Sequence, residues 1–349
     1  MVLLTTQPEH IPMFKAVKIK SRLLMGLKSS HADLTVVKLI HFYGPTYADC
    51  NIFSLDDFKT LLEDSKFSKT KKTVLYLHGY LENADIESVH VIVDAYLKRK
   101  DINLIVLDWG ELADGNYMFD AVVNCGQIGS VLAKNLLAMF ELGLDINSFH
   151  IVGHSLGGQM AGIIGREVYK RSGKKRKISR ISALDPAFPM FYGTFSNRLS
   201  KFDADFVDVI HTDAWIYGAP VSTGTADFWP NGGTTLQPGC PKRNYKPLTD
   251  NDLCSHRRSW WFWAESVKKE FSERFFAIKA KSWTDFKNER FLDGNTSAIM
   301  GQDCPTNISG DYYLQTNGIP PYARDLAGIV YVHPSELVGN NSIGPQTGN

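Results

Sequence analysis

Residues 149–162 read Phe149-His150-Ile151-Val152-Gly153-His154-Ser155-Leu156-Gly157-Gly158-Gln159-Met160-Ala161-Gly162. An apolar run comes first, a Gly-x-Ser-x-Gly pattern follows, and residues rich in Gly and Ala continue it. The spacing predicts a buried strand over 149–152 and a small-residue helix reaching residue 169. A sharp turn between the two strains the serine backbone, and the flanking glycines let neighbouring backbone pass closely. The pattern occurs once in the chain, so Ser155 is the candidate nucleophile.

Strands and helices alternate on both sides of this turn. Segments 35–43, 73–77, 102–107, 178–184 and 206–210 are short, apolar and rich in β-branched or aromatic residues, which predicts strands. Residues 86–99 carry Ile86, Val89, Val93 and Leu97 at helical spacing, and 117–142 predict a long helix. Short apolar strands separated by helices imply an α/β fold with a mostly parallel sheet covered on both faces. Between 214 and 253 the density of Gly and Pro predicts loops over the sheet, the expected place for substrate recognition.

Composition excludes other classes. With 349 residues and 44% hydrophobic content, the chain can bury a sizeable core and is not a mostly disordered one. Lys plus Arg number 38 against 37 for Asp plus Glu, so no global field favours nucleic acid. The uncharged run 146–165 is interrupted by Gly, Asn, Ser, His and Gln, which argues against a membrane span. Residues 1–30 read as a basic tail or pro-segment, because Met1–Leu4 is too short for the apolar core of a secretory signal. Cys50, Cys125, Cys240, Cys254 and Cys304 show no zinc-type spacing.

A serine nucleophile needs a base and an orienting acid, which follow it in the order Ser, acid, His on this type of sheet. His211, His256 and His333 lie downstream. His211 closes a strand and reads as structural. His256, in a loop end opening a Trp-rich helix, is favoured because a mobile loop there would let it reach the serine. Asp185 ends the strand over 178–184 and is the first carboxylate after the nucleophile at a strand's C-terminal end. Asp213, one strand later, is the alternative. For the oxyanion hole, the amides of Leu156 and Tyr80 are the candidate donors, and His78 reads as structural.

These residues resemble the pancreatic lipase family of α/β hydrolases. The matching stretches are L-H-G-Y (77–80), G-H-S-L-G-G-Q-M-A-G (153–162), A-L-D-P-A (183–187), V-D-V-I-H-T-D (207–213), D-F-W-P-N-G-G (227–233) and C-S-H-R-R-S (254–259). The resemblance implies a triad of Ser155, Asp185 and His256, selecting Asp185 over Asp213, with Tyr80 and Leu156 as oxyanion donors. It implies a lid bracketed by a Cys240–Cys254 disulfide, a hydrolase domain over 31–335 and a tail over 336–349. In a departure from the family, no C-terminal β-sandwich is expected, because the chain stops soon after Val332. The lid, 241–253, is thirteen residues long and mostly polar, with Lys242, Arg243, Asn244, Lys246, Asp250, Asn251 and Asp252. The loop 214–226 is equally short. Both are similar to the phospholipase A1 branch, including its insect members. Triacylglycerol lipases and the family's non-catalytic yolk proteins are the alternatives.

The resemblance further implies secretion and no cofactor. Arg198 and Asp203 match residues near a calcium site in some relatives, but Ser196 and Ser200 stand where acids would be expected, which argues against calcium. The basic run from Lys170 to Arg180 reads as a solvated loop, with weak anionic-surface binding as the alternative. Trp260, Trp261 and Trp263 read as core residues. Asn295, Asn307 and Asn340 begin N-x-S/T sequons.

Overall fold

The computed structural model describes residues 32–193, 197–243, 246–268, 273–292 and 296–333. The expectations on 1–30, Ser196, Asn244, Asn295, Asn340 and 336–349 lie outside these residues. In chain order the elements begin with β1 Lys38–Phe42, β2 Cys50–Ser54, β3 Lys72–Leu77, α1 Glu87–Leu97, β4 Ile102–Asp108, α2 Gly110–Ala113 and α3 Val122–Glu141. They continue with β5 Phe149–His154, α4 Leu156–Arg171, β6 Ile178–Leu184, β7 Ala204–Ile210, β8 Ala226–Pro230 and α5 Asp250–Val267. β9 Phe276–Lys279, α6 Trp283–Lys287, β10 Ser297–Ile299 and β11 Gly310–Leu314 complete the series.

The eleven strands form one sheet in the order β10-β9-β11-β8-β7-β6-β5-β3-β4-β1-β2. Neighbours from β11 to β4 pair parallel. The outer pairings, β10 and β9 at one edge and β1 and β2 at the other, are antiparallel. This is the α/β-hydrolase fold, a mostly parallel sheet flanked by helices.

The sequence builds it through the two-residue period of the strands. Leu75 and Leu77 of β3, with Ile105 and Leu107 of β4, face one side with Ile128 and Leu132 of α3 and Met160 and Ile164 of α4. Val74, Tyr76, Leu104 and Val106 face the other, with Val89 and Val93 of α1 and Trp260 and Trp263 of α5. Both faces are dry, so the central strands are apolar without alternation. Trp260 and Trp263 are buried, as expected, and the Trp263 indole N–H donates to Tyr96 Oη at 3.1 Å.

Two expectations need correction. The segment 214–253 is not loop throughout, because it contains the fully buried strand β8. Gly224 and Pro230 at its ends hid a five-residue strand inside a loop-like composition. The helix expected over 117–142 opens with a π-helical turn at Tyr117–Ala121, capped by the Asn116 side chain, and only then becomes α3.

Helix α4 lies close to the sheet because its facing residues are small. A Cβ on Gly165 would stand 2.0 Å from the Asp203 carbonyl oxygen. Alanine favours a helix over glycine by about 1 kcal/mol, yet overpacking against fixed backbone costs about 1–3 kcal/mol. Gly165→Ala is therefore expected to lower the thermal midpoint in calorimetry; a raised midpoint would show that the helix can move away.

Candidate active site

The C-terminal ends of β3, β5, β6 and β7 converge on Ser155, which sits between β5 and α4 with φ 54° and ψ −117°. A non-glycine residue at positive φ is strained and persists only where surrounding contacts hold it. Here the Ser155 N–H donates to Leu184 O at 3.0 Å, and its carbonyl accepts from the Ala187 N–H at 3.0 Å. A Cβ on Gly153 would meet Gly157 O at 2.3 Å, and one on Gly157 would meet Leu77 O at 2.1 Å. The two glycines of the motif are thus required by backbone crowding.

Asp185, immediately after β6, is buried and also left-handed, with φ 44°. Its Oδ1 accepts from the N–H groups of Thr212 at 2.8 Å and Asp213 at 3.1 Å. Its Oδ2 receives the His256 Nδ1–H at 2.6 Å. Gly218 closes over this carboxylate, since a Cβ there would fall 2.1 Å from Asp185 Oδ1. His256 is not in a loop end as expected. It lies within α5, buried, where helix packing fixes its ring more firmly than a mobile loop would. Burial pushes its imidazole below the ordinary histidine value, although the Asp185 bond pulls the other way.

The structure thus brings Ser155, Asp185 and His256 to one end of the sheet. The Tyr80 and Leu156 amides lie there too, on the turn after β3 and at the first residue of α4. Among the described residues neither N–H donates to a protein acceptor. His211 is tied elsewhere, with Nε2 on Asp227 Oδ1 at 2.8 Å and its ring stacked 3.7 Å from Trp229. His78 Nε2 accepts from the Trp109 N–H at 3.1 Å. His333 is exposed.

Asp213 contributes its amide to Asp185, but its own carboxyl is a separate case. It is buried, one oxygen has no partner, and Arg243 stands 3.5 Å from the other. Burial, then the neighbouring Asp185, push it up to about 9 against the pull of Arg243. Burial thus favours the protonated form of the Asp213 carboxyl.

Cys240 and Cys254 are joined by a disulfide, while Cys50 is half-buried and Cys125 and Cys304 are buried thiols. Inside the bridged loop, Arg243 bonds Asp252 Oδ1 at 2.8 Å and lies 5.4 Å over the Tyr217 ring. The Tyr217 hydroxyl donates to Asp252, and its ring lies 5.6 Å from that of His256. Sequence reasoning missed Tyr217 and Arg243 as neighbours of the site, since no motif marks either. It also missed Glu82 and His154, whose side chains meet at 3.2 Å.

Four large apolar residues surround this end of the sheet. Leu81, Met190, Trp215 and Leu248 all have positive φ and are exposed, Trp215 by 65%. They follow β3, β6 and β7 or precede α5. The basic run 170–180 spans the end of α4 and the start of β6, at the opposite pole. The sixteen residues of α4 put it about 24 Å from Ser155. Near the suggested calcium position, both Asp203 oxygens lie 2.9 Å from Arg166, and Arg198 rests over Tyr192. No helix among the described residues is long and apolar enough to cross a membrane.

A sequence profile described as Lipase matches residues 20–322. The chain is 36% identical over 220 residues to "Lipase member H-A" of Xenopus laevis, covering 62% of this chain and 46% of that protein. It is 32% identical over 225 residues to "Pancreatic triacylglycerol lipase" of Mus musculus, covering 59% and 46%. It is also 31% identical over 257 residues to "Inactive pancreatic lipase-related protein 1" of Homo sapiens, covering 68% and 52%. The chain spans about half the length of these relatives.

Two predictions follow from the two carboxylates and the buried imidazole. Asp185→Asn is expected to lower kcat for ester hydrolysis by about 10⁴-fold, and Asp213→Asn by less than about threefold, because burial already favours that carboxyl's neutral form. Equal losses in steady-state assays would refute Asp185, rather than Asp213, as the partner of His256. To accept a proton His256 must be neutral, and its value is depressed, so neutrality persists to lower pH. The acid limb of the kcat/KM profile should inflect below the ordinary histidine value of about 6.5; an inflection above it would contradict this.

Proposed function

This chain belongs to the Lipase family, and we propose that it is a serine ester hydrolase acting on lipids. Ser155 is the nucleophile, His256 the base and Asp185 the orienting acid. The 2.6 Å bond from His256 to Asp185, on the same sheet end as the strained Ser155, is the observation that carries the reading. As Ser155 Oγ attacks the ester carbonyl, His256 Nε2 takes its proton, and Asp185 stabilises the imidazolium. The Tyr80 and Leu156 N–H groups receive the oxyanion. His256 returns the proton to the leaving alcohol, and the acyl group stays on Ser155. Water then gives a proton to His256 and attacks the acyl carbon, and His256 returns that proton to Ser155 Oγ as the acyl–oxygen bond breaks and the fatty acid leaves. The scheme uses no cofactor.

The substrate is a glycerophospholipid cleaved at sn-1. A thirteen-residue polar lid and a short 214–226 loop leave room for a charged headgroup beside the serine. The exposed Leu81, Met190, Trp215 and Leu248 supply an apolar rim for contact with a lipid surface. Residues 31–335 form the hydrolase domain, flanked by 1–30 and 336–349. The Cys240–Cys254 bridge favours an oxidising, extracellular compartment. The alternative substrate is a neutral glyceride, as the name of the mouse relative states. A non-catalytic lipid-binding role is the alternative of another class, and one relative is named inactive.

Three measurements separate these readings. A fluorophosphonate probe is expected to label the wild-type protein and not Ser155→Ala; labelling of both, or of neither, refutes the nucleophile. Ser155→Ala is expected to lower ester turnover by about 10⁶-fold. Given phosphatidylcholine with distinguishable acyl chains beside a triglyceride, the enzyme should release the sn-1 acid first. Triglyceride turnover alone would exclude the phospholipase reading.

A further inference from the structure

Glu82 lies on the turn after β3 and belongs to no motif, yet it joins the two halves of the site. Its Oε2 accepts the Gly79 N–H at 2.5 Å and faces His154 Nδ1 at 3.2 Å. Its Oε1 accepts the Ser88 hydroxyl, from α1, at 2.7 Å. Gly79 precedes Tyr80, one proposed oxyanion donor, and His154 precedes Ser155. The two segments are already in contact, because a Cβ on Gly79 would stand 2.9 Å from Ser155 Cβ. The His154 ring lies 4.7 Å from that of His256, and its Nε2 is buried without a partner.

Resting on the serine-hydrolase reading, we propose that Glu82 is a positioning residue that sets the Tyr80 amide against Ser155 and holds the His154 ring beside His256. A carboxylate suits this place because it can accept three donors at once, whereas an amide has one acceptor oxygen. Burial alone would raise its pKa, but the His154 and His78 rings and the Gly79 N–H outweigh burial and hold it down at about 2. These contacts favour the carboxylate form of Glu82. Loss of one donor interaction lets the turn shift, and small displacements of an oxyanion donor lower the rate without weakening substrate binding.

The test compares wild type, Glu82→Gln, Glu82→Asp and Ser155→Ala on a soluble p-nitrophenyl ester, with functional sites counted by fluorophosphonate titration. Glu82→Gln is expected to lower kcat per titrated site by about 10- to 100-fold and leave KM within about twofold. Glu82→Asp keeps the charge but is one methylene shorter, and should fall between the two. Should Glu82→Gln not fold, Ser88→Ala carries the test, with a smaller loss in kcat at unchanged KM. An unchanged kcat per site in the folded variants overturns the inference, as does a loss confined to melting temperature. Wild-type protein with no Ser155-dependent hydrolysis defeats the serine-hydrolase reading and this inference with it. Active wild type beside fully active variants defeats the inference alone.

Discussion

The contact on which the site depends is between two stretches of backbone, where Gly157 at the start of α4 meets the carbonyl of Leu77 at the end of β3. A Cβ at that point would be 2.1 Å from the carbonyl oxygen. The closeness brings the Ser155 turn against the turn that follows β3, and so determines which amides can face the serine. It also seats α4 on the sheet, where its small residues continue the close approach. A side chain here would separate helix from strand, and the Tyr80 and Leu156 amides would part.

Electrostatics then divides the work between groups that look alike in sequence. Asp185 and Asp213 are both buried aspartates following adjacent parallel strands. Asp185 receives two backbone N–H groups and an imidazole, whereas Asp213 has a distant guanidinium and one oxygen without a partner. Burial and the neighbouring Asp185 both raise the Asp213 carboxyl. Arg243 links Asp213 to Asp252 and so to the disulfide-bridged loop.

How much of this was legible in the sequence follows from how local each signal is. The central strands were legible because burial on both faces leaves apolar runs, and 178–184 matches β6 to the residue. Ser155 was legible because its turn demands glycine at fixed offsets. β8 was not, since five residues between Gly and Pro look like a loop, and strands β9 to β11 are too short to show a period. His256 meets Asp185 from inside a helix rather than from a loop end, because the polar residues opening α5 mimic a loop. Glu82 is a lone acid in a turn, and only three-dimensional proximity reveals its three donors.

The left-handed conformations of Ser155 and Asp185 bear on how the chain folds. Neither conformation is locally favoured, and each is held by hydrogen bonds to a neighbouring strand: Ser155 to Leu184, and Asp185 to Ile210. Those partners lie far along the chain, so closing them carries the loop entropy of non-local pairing. An isolated β5–α4 fragment has nothing to keep its serine in that geometry. The Ser155 turn therefore matures only when β5 and β6 have come together, and Asp185 only when β7 has joined them, so the two residues report successive stages in the completion of the sheet's centre.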